Sequence, residues 1–218
     1  MPVNRRSLLA LGAAAAVEGG ARAATAGLSQ PTPAQAMGPF YPVVEPSESA
    51  ADLTRRPGST GPARGARIDV TCTVLSPVGK PIRGAIVLIW QANAVGKYAH
   101  PRDNSAALLD ENFVGHAVMR TDANGTIRFR SVKPGAYADG PGRLRTPHIH
   151  YEVIGEEARL ITQMYFPDEP LNQTDRLLRE AVEKGVDINR LIASRIQPAG
   201  GHGGPVAAYE WQLVLDGT

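Results

Sequence analysis

Five histidines occur in 218 residues, and two of them stand in Arg145-Thr146-Pro147-His148-Ile149-His150. In an extended segment successive side chains point to opposite sides, so His148 and His150 share one face. Two imidazoles so placed can bite a single metal ion. The plainer alternative is a solvent-facing pair on a strand. Two tyrosines sit in turn-rich contexts upstream. Tyr98 ends Trp90-Gln91-Ala92-Asn93-Ala94-Val95-Gly96-Lys97-Tyr98, and Tyr137 ends Val132-Lys133-Pro134-Gly135-Ala136-Tyr137. Taken singly, each is more simply a packed or surface residue. Cys72 is the only cysteine, which excludes thiolate metal clusters and an intrachain disulfide. It lies in the apolar run Ile68–Leu75 and reads as a buried small hydrophobe.

The elements that must position these residues are mostly strands. Arg67–Leu75 alternates around Ile68, Val70, Cys72 and Val74. Gly84–Trp90 is a continuous apolar run, as expected of a strand buried on both faces. Val118–Thr121 and Thr126–Arg130 flank Asp122-Ala123-Asn124-Gly125, whose Asn-Gly predicts a hairpin. His148–Val153, Leu160–Phe166 and Tyr209–Leu215 complete a predicted antiparallel β-sandwich of about seven or eight strands. One helix is expected, capped by Thr174 or Asp175, with Leu177, Leu178, Ala181 and Val182 as its apolar face and Gly185 ending it. A shorter helical turn is expected near Asn189–Ser194. The sandwich domain is assigned to residues 66–218, preceded over 27–65 by an extended arm anchored at Gly38-Pro39-Phe40-Tyr41-Pro42.

In order along the chain stand Trp-Gln-Ala-Asn-Ala-x-Gly-Lys-Tyr98, Thr-Asp-x-x-Gly with Phe129, Lys-Pro-Gly-x-Tyr137, Arg145-x-Pro-His148-Ile-His150, and Thr162-Gln163-Met164-Tyr165-Phe166. This series resembles the intradiol ring-cleavage dioxygenases, most closely the protocatechuate 3,4-dioxygenase type, over roughly residues 36–180. The resemblance implies a mononuclear non-haem Fe(III) held by Tyr98, Tyr137, His148 and His150. Tyr98 and His150 would be equatorial, Tyr137 and His148 axial. Such a ligand set is chemically sensible. Two histidines with one carboxylate suit Fe(II) oxygenases, whereas two anionic phenolates favour Fe(III). The resemblance further implies that a catechol displaces the Tyr137 phenolate, which takes one of its protons. O2 then attacks the activated ring, giving a cis,cis-muconate-type diacid.

The same resemblance makes Arg145 the cation beside the substrate ring, where fixed positive charge stabilises electron density pushed into the ring. It places Gln163 at the substrate pocket. Tyr41 could line the pocket mouth or simply pack the arm. His100 and His116 fit no ligand role, and His202, within Gly200–Gly204, is expected to be solvated. The protocatechuate type often carries Pro-Trp after the second tyrosine. Here Ala138-Asp139-Gly140 stands instead, a smaller wall bearing a carboxylate, which argues against a carboxylated substrate.

Composition bounds the partners. A 43% hydrophobic content with 23 Gly and 18 Pro suits a globular, loop-rich β protein. Net charge is +2 and no basic stripe interleaves with aromatics, so nucleic-acid binding is not expected. Asn4-Arg5-Arg6-Ser7-Leu8-Leu9 and the alanine-rich run to Val17, followed by Ala21-Arg22-Ala23 and Ala24-Thr25-Ala26, read as an export signal over residues 1–26. The paired arginines suggest the twin-arginine route and hence the periplasm. The run is too short to span a bilayer. No membrane association is expected after cleavage, and cleavage after Ala23 brings the formal charge to about zero. The expected partners are a catecholic substrate and O2, with a homo-oligomer or a related subunit. Two other readings compete: a non-enzymatic, transthyretin-like β-sandwich binding module, and a two-histidine zinc hydrolase. The hydrolase lacks a carboxylate near the pair to serve as third ligand and base.

Overall fold

Alternation along Arg67–Leu75 forms β1, with Ile68, Val70, Cys72 and Val74 buried and the residues between them part-exposed. The computed structural model describes residues 30–43, 51–198 and 207–216. The expected export signal and the glycine loop around His202 lie outside the described residues. In chain order there follow β2 (Ile86–Trp90), β3 (His116–Arg120), β4 (Thr126–Val132), β5 (Tyr137–Ala138), β6 (Leu144–Arg145), β7 (His148–Ile154), β8 (Arg159–Tyr165), α1 (Arg176–Glu183), β9 (Ser194–Ile196) and β10 (Ala207–Val214).

Two four-stranded sheets form, ordered β4-β1-β10-β9 and β3-β2-β7-β8, with β5-β6 a separate ribbon. Between the sheets lies one core, in which Val70, Cys72, Phe129 and Trp211 of the first are clustered with Val87, Ile89, Ile149, Tyr151 and Met164 of the second. Each such aliphatic side chain, fully buried, contributes about 1.5–3 kcal/mol. This is the predicted sandwich, with two departures. β1 and β10 pair in parallel, Ile68 opposite Ala207 through to Leu75 opposite Val214. Alternation marks which side chains are buried but carries no strand direction. Nearly the whole domain separates these two strands, ample length for a crossover.

The Asp122–Gly125 turn is the second departure. It does form: Gly125 N–H donates to the Asp122 carbonyl, and Asp122 Oδ1 accepts from the N–H groups of Asn124 and Thr126. It does not close a hairpin. β3 pairs with β2 and β4 with β1, so the turn carries the chain from one sheet to the other. Ala117 and Met119 of β3 and Ile127 and Phe129 of β4 all belong to the inter-sheet core. The two strands therefore face each other across the layers.

α1 begins at Asp175, whose side chain accepts from the N–H groups of Leu177 and Leu178. It ends at Gly185, at φ 74°, with Val186 N–H bonded to Ala181 O and Gly185 N–H to Val182 O. That is a Schellman closure. Leu178 and Ala181 are buried, and Leu178 joins Tyr165 and Leu191 in a cluster beside β8. Val182, expected on the apolar face, is 54% exposed. An eight-residue helix rests on the cluster through a narrow stripe, and Val182 lies outside it. The expected helical turn is a 3-10 turn at Ile188–Leu191.

The described part of the arm runs along β8. Thr162 Oγ1 donates to Pro33 O, Gln35 N–H to Ile161 O, and Gln163 Nε2 to Ala36 O. As a result β7 is buried on both faces. Ile149, Tyr151 and Val153 enter the inter-sheet core, while His148, His150 and Glu152 alternate with them and are also buried. Leu53, assigned to the arm, is wholly buried in the core. Among the described residues no helix is long and apolar enough to cross a membrane.

Candidate metal centre

Strand register sets out the outer face of the second sheet. Trp90 on β2 lies opposite His150 on β7, and His150 lies opposite Gln163 on β8. His148, two residues earlier, lies opposite Tyr165. The indole of Trp90 stacks on the His150 ring at 4.7 Å and 5°. The two Nε2 atoms of His148 and His150 are 3.2 Å apart. His148 Nδ1 is 2.6 Å from the Thr146 carbonyl, which can only accept. That bond assigns the proton to Nδ1 and leaves a lone pair on Nε2.

Two loops deliver the phenols. Asn93 organises the first, its Oδ1 accepting from the N–H groups of Val95 and Lys97. Gly96 sits at φ 81°, and a Cβ there would lie 2.3 Å from Ala136 O. A Cβ on Gly135 would lie 2.6 Å from Gly96 N. Only glycines let these loops touch backbone to backbone. The contact brings the rings of Tyr98 and Tyr137 to 5.4 Å, edge to face. Tyr137 is also 5.7 Å from His148, and Tyr98 6.3 Å from His150, between ring centroids. All four side chains implied as ligands therefore converge. Among the described residues, no group of three or more His, Cys, Asp and Glu could hold a metal. A metal here depends on the phenols.

The protonation states suit a cation. Burial, and then the neighbouring Tyr137 phenol, hold the Tyr98 hydroxyl well above its usual range. Burial raises Tyr137 as well, against the pull of Arg145. Burial lowers His148, with Arg145 adding to it, and lowers His150, with His148 and Arg145 adding. The set is thus two neutral imidazoles and two phenols that ionise only for a bound cation. The Tyr98 hydroxyl and His150 Nδ1 are buried without a hydrogen-bond partner. An orphaned phenol oxygen beside paired imidazole lone pairs is what a metal would satisfy, so the residues fit ferric iron.

Arg145 lies opposite Tyr137 in the β5-β6 ribbon and is buried. Its Nε donates to Asp175 Oδ2 at 2.7 Å and its Nη2 to Gln163 Oε1 at 2.7 Å. Burial alone would lower its pKa, but Tyr165, Tyr137 and Asp175 outweigh it and the net shift is upward. Arg145 and Gln163 thus meet as one unit. Tyr41 stands elsewhere. Its ring meets the edge of Trp90 at 5.1 Å and its hydroxyl donates to Glu152 at 2.6 Å. Glu152, with burial the larger cause, helps push that phenol up to about 12. The Asp139 carboxylate reaches Arg176 of α1 at 3.4 Å. His100 and His116 do not join the ligand cluster.

Four neighbours escaped the sequence reading. Phe40 stacks on Tyr98 at 4.5 Å and meets Tyr137 edge-on at 6.0 Å. Trp90 backs His150. Asp175 was visible only as a helix cap. Gly38, at φ 74°, lies against His150, and a Cβ there would be 3.3 Å from its Cε1. Phe40, Trp90 and Gly38 all stood inside quoted motifs, but nothing in a motif says which flanking residue touches a ligand.

Comparison with known proteins gives the family. The family model described as Dioxygenase matches residues 36–217. The chain is 43% identical over 170 residues to the protocatechuate 3,4-dioxygenase beta chain of Burkholderia cepacia, covering 76% of this chain and 71% of that one. It is 36% identical over 113 residues to catechol 1,2-dioxygenase 1 of Acinetobacter lwoffii, covering 45% of this chain and 35% of the relative. Among solved structures, the dioxygenase domain of a dioxygenase carbohydrate-binding protein fusion from Streptomyces sp. SirexAA-E superposes with a TM-score of 0.61 at 29% identity, over 86% of this chain and 99% of that one. The chain belongs to the intradiol ring-cleavage dioxygenases, a family of oxidoreductases.

Proposed function

We propose that this protein is a non-haem ferric enzyme that cleaves a catechol-type ring between its two hydroxylated carbons with O2, yielding a cis,cis-muconate-type diacid. The observation that carries the reading is the convergence of two neutral imidazoles, Nε2 atoms 3.2 Å apart, with the buried, unpartnered phenol of Tyr98 and the part-buried phenol of Tyr137. Tyr98, Tyr137, His148 and His150 would hold the iron. When bound, ferric iron would chelate the catechol oxygens and draw electron density from the ring.

The chain's own residues supply the rest. Tyr137 is less buried than Tyr98, and burial favours its neutral form. Freed from a cation, its phenolate is a strong base, suited to take a proton from a catechol hydroxyl. Arg145, opposite it, offers fixed positive charge to a ring gaining electron density. Trp90 and Phe40 wall the site and exclude water from it. The membership of the curated relatives in oxygenase classes weighs against the non-enzymatic binding module. The Burkholderia relative is named a beta chain, which supports a related subunit or a second copy as partner.

The test is colour. Phenolate-to-iron charge transfer should make purified protein wine-red, and Tyr98→Phe should bleach the band or lose iron. A colourless protein fully loaded with zinc would remove the ferric site, and an unaltered band in Tyr98→Phe would remove Tyr98 from its ligands. Export by a twin-arginine signal over residues 1–26 is part of the same proposal. Replacing Arg5 and Arg6 with lysine should leave the protein in the cytoplasm, and undiminished periplasmic recovery would overturn that route.

A further inference from the structure

Asp175 is wholly buried, and both of its carboxylate oxygens are in use. Oδ1 accepts from Leu177 N–H at 3.0 Å and Leu178 N–H at 3.2 Å, capping α1. Capping needs only that oxygen, and a serine or asparagine supplies it about as well. Oδ2 does something else. It accepts from Arg145 Nε at 2.7 Å and Thr146 N–H at 3.0 Å. On the next edge of the guanidinium, Nη2 donates to Gln163 Oε1. Gln163 is itself pinned, through Nε2 to Ala36 O and through Oε1 by the Tyr165 hydroxyl. Nη1 makes no hydrogen bond to any described residue.

An arginine side chain has several rotatable bonds, and ordering it costs up to about 2 kcal/mol. Here two edges of the fork are clamped by groups that cannot move without disturbing α1 or the arm. One nitrogen, Nη1 with its two N–H groups, is left over, on a strand paired with Tyr137. We propose that Asp175 is a positioning residue of the active site. It locks Arg145 so that Nη1 is presented, already ordered and charge-compensated, to the aromatic ligand. α1 is therefore part of the catalytic scaffold as well as a cover for β8. This rests on the functional reading above, in which Arg145 stabilises charge in the ring.

The experiment uses the full iron-loaded enzyme with catechol. Asp175→Asn keeps an oxygen for the cap but loses the charge that holds Arg145. It should stay wine-red, because no iron ligand is touched. Its kcat should fall about 10²-fold, as expected for a misplaced catalytic group, with KM changing less than kcat. Combined with Arg145→Ala, it should add almost nothing to the loss from Arg145→Ala alone, because both act through one group. If Asp175→Asn does not fold, Asp175→Glu keeps the charge and moves the guanidinium by a methylene, and should show the same kcat loss with retained colour. A coloured variant with kcat within about twofold of wild type, or a double variant slower by the full single-variant factor, would overturn the proposal. A colourless or inactive wild type strikes at the functional reading instead.

Discussion

Arg145 shows how one residue's meaning depends on what touches it. From the sequence it stood three positions before His148, and its role came from resemblance alone. In the structure it is a buried charge with a buried counter-charge, and only Nη1 is left to a ligand. Arg145→Ala would leave Asp175 ionised without its partner, at a cost of about 3–5 kcal/mol in stability. Turnover should fall about 10²–10³-fold, the loss seen when one preorganised donor is removed. The charge-transfer band should survive. Steady-state kinetics beside an absorption spectrum checks this, and unaltered turnover would strip Arg145 of its role. The four candidate ligand positions stood out because each carried a motif at set spacing. Asp175 was not, because its partner is 30 residues away in sequence, and a caps-only reading already accounted for it.

At the scale of elements, long strands and the helix were legible, since alternation over seven or nine residues and a cap-to-glycine frame are strong local signals. The ribbon β5-β6 was not. Each strand has two residues, too few to show a period, yet the ribbon sets Tyr137 opposite Arg145. The parallel pairing of β1 with β10 and the sheet-crossing turn at Asp122–Gly125 escaped for a different reason, because both are decided by long-range packing. α1 carries a testable pH dependence. Burial alone would raise the Asp175 carboxyl, but Arg145 and the N–H donors outweigh it and hold it below its usual range. Its stabilisation is therefore complete above the unfolded-chain value of about 3.9 and is lost as pH falls through the lower folded value. The urea-midpoint gap between wild type and Asp175→Asn should be constant above about pH 5 and close on acidification. A gap that widens toward low pH would contradict this assignment.

Over the whole molecule, the site lies on the outer face of one sheet, opposite the core. Residues 30–43 cross that face and help to bury it, with Phe40 stacked on Tyr98 and Gln163 tied to Ala36. The arm was foreseen as an extended wrap with one anchored piece. That it roofs the candidate metal centre was not, since proline- and alanine-rich sequence carries no sign of what it covers. The sandwich supplies rigidity, its register aligns Trp90, His150 and Gln163, and the loops and ribbon bring in the phenols and Arg145. All of this serves one reaction, and its product is the most direct witness. The iron-loaded protein should consume isotopically labelled O2 with catechol and release cis,cis-muconate carrying both labelled oxygen atoms. An extradiol semialdehyde, or no uptake by the iron-loaded protein across a panel of catechols, would contradict the account.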